Sequence, residues 1–201
     1  MKTRIFFLAA VLAVSFACSA IAPTSQPQQA YPQSTLSIGY DFSDQVPAFP
    51  EGDAKAPNHI FVHKYPIPGN GVITGITLLN DSDSLEEDFT LLILRPISGG
   101  WEVTHRIDIS EDDQSSAETG ITNIPFGTSL AVKKGDIFAH WQLRDSGSIP
   151  LNDEGSSFEG LSFGKFGLGS TDIEKGQVIP NENFSGGRDY FINLIFEPSH
   201  D

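Results

Sequence analysis

The pattern of hydrophobic and polar positions speaks most clearly between Val72 and Ile109. The run reads Val72-Ile-Thr-Gly-Ile-Thr-Leu-Leu79, an acidic turn, and Phe89-Thr-Leu-Leu-Ile-Leu-Arg95. After Pro96-Ile-Ser-Gly-Gly100 follows Trp101-Glu-Val-Thr-His-Arg-Ile-Asp-Ile109. Segments rich in β-branched and aromatic residues, bounded by Gly, Pro, Asn, Asp and Ser, predict consecutive strands. Phe89 to Leu94 is apolar at nearly every position, which predicts a strand in mid-sheet with both faces covered. Trp101 to Ile109 alternates instead. The pattern puts Trp101, Val103, His105, Ile107 and Ile109 on one side, with Glu102, Thr104, Arg106 and Asp108 on a wet face.

Further strands are predicted at Leu36 to Phe42, His59 to Tyr65, Ser129 to Val132, Asp136 to Leu143, Leu161 to Leu168 and Tyr190 to Phe196. Lys133-Lys-Gly135 resembles a tight turn between two of them. Residues 110–120 and 145–159 read as polar, acidic loops, and 172–180 fit no element. Nowhere does an apolar pattern at helical spacing last ten residues, and the 19 Gly and 13 Pro suit short strands joined by turns. The expectation is an all-β, antiparallel two-sheet sandwich of eight or nine strands over residues 35–201, a jelly roll being one way to connect it.

The first 22 residues are patterned differently. Lys2 and Arg4 precede an apolar stretch from Ile5 to Ala17, and Ala20-Ile21-Ala22 supplies small residues. That is the layout of a secretory signal peptide. A retained anchor helix is the alternative, because the uncharged run just reaches the roughly 17 residues needed to span a bilayer. Ser15-Phe-Ala-Cys18, followed by Ser, Ala, Pro, Thr and Gln, resembles the lipobox and tether of bacterial lipoproteins, although Ser15 and Phe16 depart from the usual aliphatic and small residues. The resemblance implies cleavage before Cys18 and its lipidation. An ordinary cut after Ala20 or Ala22 is the other reading. Residues 23–34, rich in Pro, Gln and Ser, are expected to be a disordered spacer.

Charge narrows the partners. The chain carries 26 acidic and 12 basic side chains, a formal net charge of −14, and losing Lys2 and Arg4 with the leader would leave it more acidic still. Such a surface repels phosphate backbones and anionic headgroups, which argues against nucleic-acid binding and leaves a lipid anchor as the only route to a membrane. It attracts cations. Cys18 is the sole cysteine, so no intrachain disulfide can form.

Asp81, Asp83, Glu86, Glu87 and Asp88 crowd one inter-strand turn, and Ca²⁺ takes six to eight oxygen ligands of this kind. Glu86 stands where an EF-hand needs glycine, so any site would be of another type, and acidic turns are more often solvated. Glu111-Asp-Asp113 and Asp153-Glu154 are lesser clusters. Trp141, Tyr65 and Tyr190 lie at or beside strand ends, where rings can stack on sugars; Trp101 sits on an apolar face and reads as core. His59 and His63 share one side of their strand but lack a converging third metal ligand. Asn80 and Asn183 begin N-glycosylation patterns. Neither Gly155-Ser-Ser-Phe-Glu-Gly160 nor Gly164-Lys-Phe-Gly-Leu-Gly169 fits a nucleophile elbow or a phosphate-binding loop.

The expected protein is therefore a secreted or lipid-anchored module that binds an extracellular glycan or protein, with structural calcium as a companion expectation. A polysaccharide-acting hydrolase or lyase using groove carboxylates is the alternative, and a structural matrix component a third.

Overall fold

The computed structural model describes residues 34–43, 59–63, 65–80, 88–115, 120–142, 149–152, 161–165, 173–180, 184–186 and 189–199. The chain divides into two units, Met1–Pro32 and Gln33–Asp201, and the second contains every described residue. Its elements are β1 (Leu36–Gly39), β2 (His59–His63), β3 (Gly71–Asn80), β4 (Phe89–Ile97), β5 (Gly100–Ile109), α1 (Glu111–Ser115), β6 (Gly120–Val132) and β7 (Ile137–Gln142). Then come β8 (Leu151–Asn152), β9 (Leu161–Lys165), β10 (Val178–Pro180), β11 (Phe184–Gly186), β12 (Asp189–Tyr190) and β13 (Ile192–Pro198).

A four-stranded sheet ordered β1-β13-β3-β6 accompanies a seven-stranded sheet ordered β10-β5-β4-β7-β2-β9-β11, and β12 pairs with β8. Eight of these strands nest: β1 pairs with β13, β2 with β7, β3 with β6 and β4 with β5, all antiparallel. Such nesting is a long hairpin rolled into two layers, the jelly-roll form of the sandwich. The other five strands, β8 to β12, enter between β7 and β13. Most are two or three residues long, too short to show an alternation, which is why the strand count exceeds the expected eight or nine.

Between the sheets lies the main core, built from residues such as Phe89, Leu91 and Ile93 of β4, Ile76 of β3 and Leu194 of β13. Each such side chain contributes about 1.5–3 kcal/mol when removed from water. The larger sheet is buried on its other face too, where Leu92, Leu94 and Trp141 meet Ile173 and Ile179 from the inserted segment. Both faces of β4 are thus covered, as its nearly continuous apolar run predicts.

Two expectations need correction. The register between β4 and β5 shifts after Ile93: Ile93 faces His105, whereas Leu94 faces Val103. Thr104 is the extra residue, a β-bulge that reverses the facing of everything beyond it. Trp101 and Val103 therefore join the outer cluster, while Ile107 and Ile109 join the main core, so the five residues do not share a side. The second correction is at residues 110–120. Ser110 and Asp113 cap one helical turn reciprocally, Asp113 N donating to Ser110 Oγ at 3.2 Å and Ser110 N to Asp113 Oδ2 at 2.9 Å. That turn is α1, and the following strand β6 starts at Gly120, well before Ser129.

Candidate functional site

At one end of the sandwich the start of β3, the ends of β6 and β13 and the side chain of Arg95 enclose an open groove of about 730 Å³. Its lining combines Asn70, Lys133, Glu197 and Ser199 with an apolar set that includes Val72, Val132 and Pro198. Gly71 is there for lack of space: a Cβ would run into the carbonyl of Glu197 and the ring of Phe196. Asn70 ties the rim together. Its carbonyl accepts from Ser199 N at 2.9 Å and Ser199 Oγ at 3.0 Å, and its Oδ1 accepts from Lys134 N at 3.2 Å.

Arg95 is held from behind. Nε donates to Asp136 Oδ1 and Nη2 to Asp136 Oδ2, both at 2.9 Å, a bidentate pair that raises the pKa of the guanidinium above its ordinary value. Asp136 Oδ2 also accepts from Lys133 N at 2.8 Å, closing the turn into β7, where Gly135 takes a φ of 87°. Both carboxylate oxygens of Asp136 are consequently occupied. In register, Val178 of β10 lies beside Glu102 of β5, and Glu102 beside Arg95, so the three share one face of the larger sheet. Val178 is 51% exposed and Ile97, at the hairpin end of β4, is 41% exposed.

A second constellation is wholly internal. His63 of β2 and His140 of β7 face inward, with His63 Nε2 and His140 Nδ1 2.8 Å apart, one donating and the other accepting. Aromatic rings wall them in: Phe138 stacks on His63 at 4.5 Å, Phe61 on His140 at 4.8 Å, and Tyr190 lies edge-on to both. His140 Nε2 has no hydrogen-bond partner among the described residues. Burial holds the His63 pKa down at about 3; burial, then the charge of His63, keeps His140 well below its ordinary value.

The sequence-based candidates fall in different places. Trp141 and Tyr190 are each only 2% exposed. Trp141 belongs to the outer cluster beneath Arg106, whose guanidinium stands 5.9 Å above its ring, and Tyr190 belongs to the main core. Their burial corrects the expectation of rings offered at strand ends: apolar faces claimed by the core have no free side for a sugar. Tyr65 keeps partial exposure while stacking on Phe138 at 6.5 Å. Of the acidic turn, Asp88 is partly exposed just before β4, whereas Asp81, Asp83, Glu86 and Glu87 lie outside the described residues, as do Cys18 and the Asp153-Glu154 pair. Among the described residues no three His, Cys, Asp or Glu side chains group as metal ligands would, and no helix is long and apolar enough to cross a membrane. Asp113, from the second acidic cluster, is engaged in capping α1. Asn80 is buried with its amide donating to Gln114 O at 3.4 Å, which removes it as a glycosylation acceptor in the folded chain.

Sequence reasoning missed both constellations. Phe61 and Phe138 each stand two residues from a histidine on the same strand face, a hint that the two imidazoles point into the core. Nothing local announces that Arg95 and Asp136, 41 residues apart, will meet. Comparison of the chain with family models, characterised proteins and solved structures finds no match, so the groove and the histidine pair stand on their own geometry.

Proposed function

We propose that this protein is an exported binding module that takes a glycan in the groove beside Arg95. The observation that carries the reading is the composition of that groove: amide, ammonium, carboxylate and hydroxyl groups around an apolar floor. Sugars are recognised by just such a mixture, polar groups spaced for vicinal hydroxyls beside a surface for C–H faces. Export is supported by the basic, apolar and small-residue order of the first 22 residues.

Binding is favoured over hydrolysis by the carboxylate inventory. Glycosidases of the usual kind flank the scissile bond with two carboxyl groups. Among the described residues, Glu197 is the only carboxylate lining the groove, and nearby Asp136 is committed to Arg95 and Lys133. The test is a glycan array probed with the mature protein, with and without Ca²⁺, followed by titration of any hit. Lys133→Ala and Glu197→Ala should each weaken binding about tenfold, roughly one lost polar contact, without shifting the melting temperature. An array without a hit, or a hit indifferent to both substitutions, would reject this function for the groove.

A further inference from the structure

We propose that the His63–His140 pair makes the centre of the sandwich acid-labile, so that β2 and β7 separate once either ring must carry a proton. The two strands are joined along the register His63 to Phe138 and Phe61 to His140, placing both imidazoles at the heart of the larger sheet's inner face. While the rings are neutral, a single shared hydrogen bond satisfies one nitrogen of each. A proton arriving at His140 Nε2 finds no acceptor among the described residues, and a second charge would sit on the ring 2.8 Å away. Burying an unpaired charge is far more costly than exposing it, so protonation favours the open state.

No unpaired anion faces the pair from the described residues packed around it. The inward residues of β4 are Phe89, Leu91, Ile93 and, at the groove end, Arg95, whose guanidinium holds the one buried carboxylate of that face, Asp136; those of β3 and β13 include Ile76, Leu78, Ile192 and Leu194. β12 contributes the phenol of Tyr190, β7 the amide of Gln142, and β2 the imidazole of His59, which stacks on Phe61. On the other side of β2, β9 places Lys165 opposite His59 and Phe163 opposite Phe61.

In the unfolded chain each histidine takes its proton near pH 6.5, but in the folded chain only far lower, His63 at about 3. The unfolded state therefore binds more protons throughout the interval, and stability present at neutral pH is lost as pH falls below 6.5. The unfolding constant should rise about tenfold per pH unit for each histidine. Other groups act elsewhere or oppositely. Asp41 and Asp113, held below the ordinary 3.8 by Ser43 and Ser110, contribute only below about pH 4, and neutralising acidic side chains in a chain of net charge −14 relieves repulsion. The inference does not depend on what occupies the groove.

Urea unfolding of the whole mature chain, followed by circular dichroism between pH 7.5 and 5, tests it. The unfolding constant of the wild type should rise up to 100-fold per pH unit below 6.5, and His63→Phe combined with His140→Phe should abolish that rise. Equal stability at pH 7.5 and 5, or the same slope in the double variant, would overturn the proposal. Should the double variant fail to fold, the imidazole C2–H resonances of the native wild type decide. Two of them must stay in the neutral form down to pH 5, and titration of either within the folded state near pH 6 would overturn it.

Discussion

Arg95 and Asp136 meet across β4 and the start of β7 through two parallel hydrogen bonds of 2.9 Å, one end of the pair at the groove and the other sealed in the fold. Asp136 is almost wholly buried, while Arg95 keeps about a third of its side chain in solvent. The pair thus anchors the groove rim from inside. The same carboxylate accepts from Lys133 N, and the backbone of Asp136 and Gly135 exchanges hydrogen bonds with Ile67. A single residue fixes the turn into β7, the segment before β3 and the guanidinium.

Asp136→Ala is accordingly expected to cost about 3 kcal/mol, within the range for breaking a largely buried ion pair. Asp136→Asn should cost less, because the amide oxygen still accepts from Lys133 N. Urea midpoints at pH 7 check the order; equal losses would mean that the ion pair with Arg95 carries the whole effect and the bond to Lys133 N adds nothing.

Gly71→Ala should destabilise the fold by about 1–3 kcal/mol, because the added methyl enters space already filled by the Glu197 carbonyl and the Phe196 ring. Gly69→Ala, only two residues earlier, has open space around the same atom and should be nearly neutral. Thermal melts of the two variants separate a packing cost at the groove floor from a general effect on the loop.

Because Trp101 and Trp141 are both buried, their emission should be blue-shifted and poorly quenched by iodide. Saturating the groove with a glycan identified on the array should leave that emission unchanged. A large ligand-induced change in Trp141 fluorescence would return that ring to the binding surface.

If the acidic turn holds calcium, millimolar Ca²⁺ should raise the melting temperature, and Asp81→Ala with Asp83→Ala should erase the gain. Identical melts in calcium and in EDTA would reduce these residues to a solvated turn. Mass analysis of the mature N-terminus answers the companion question at Cys18, where lipidation adds an acyl mass and an ordinary cut after Ala20 or Ala22 removes the cysteine.

Local pattern was enough for the layers. Segments rich in β-branched and aromatic residues between turn residues, and a nearly continuous apolar run through Phe89 to Leu94, predict the two-sheet sandwich and the central strand. The bulge at Thr104 was not legible, because one extra residue leaves the alternation on paper intact while turning half the strand over. The same limit governs function. Whether Trp141, Tyr190 or His140 meets solvent depends on what the inserted strands and the opposite sheet lay over them, and whether Arg95 finds Asp136 depends on which strands become neighbours. Side-chain periodicity is written residue by residue and survives in the sequence. Coverage and pairing arise between segments far apart in the chain, so only the folded molecule decided which rings are walled in and which polar groups remain at the groove.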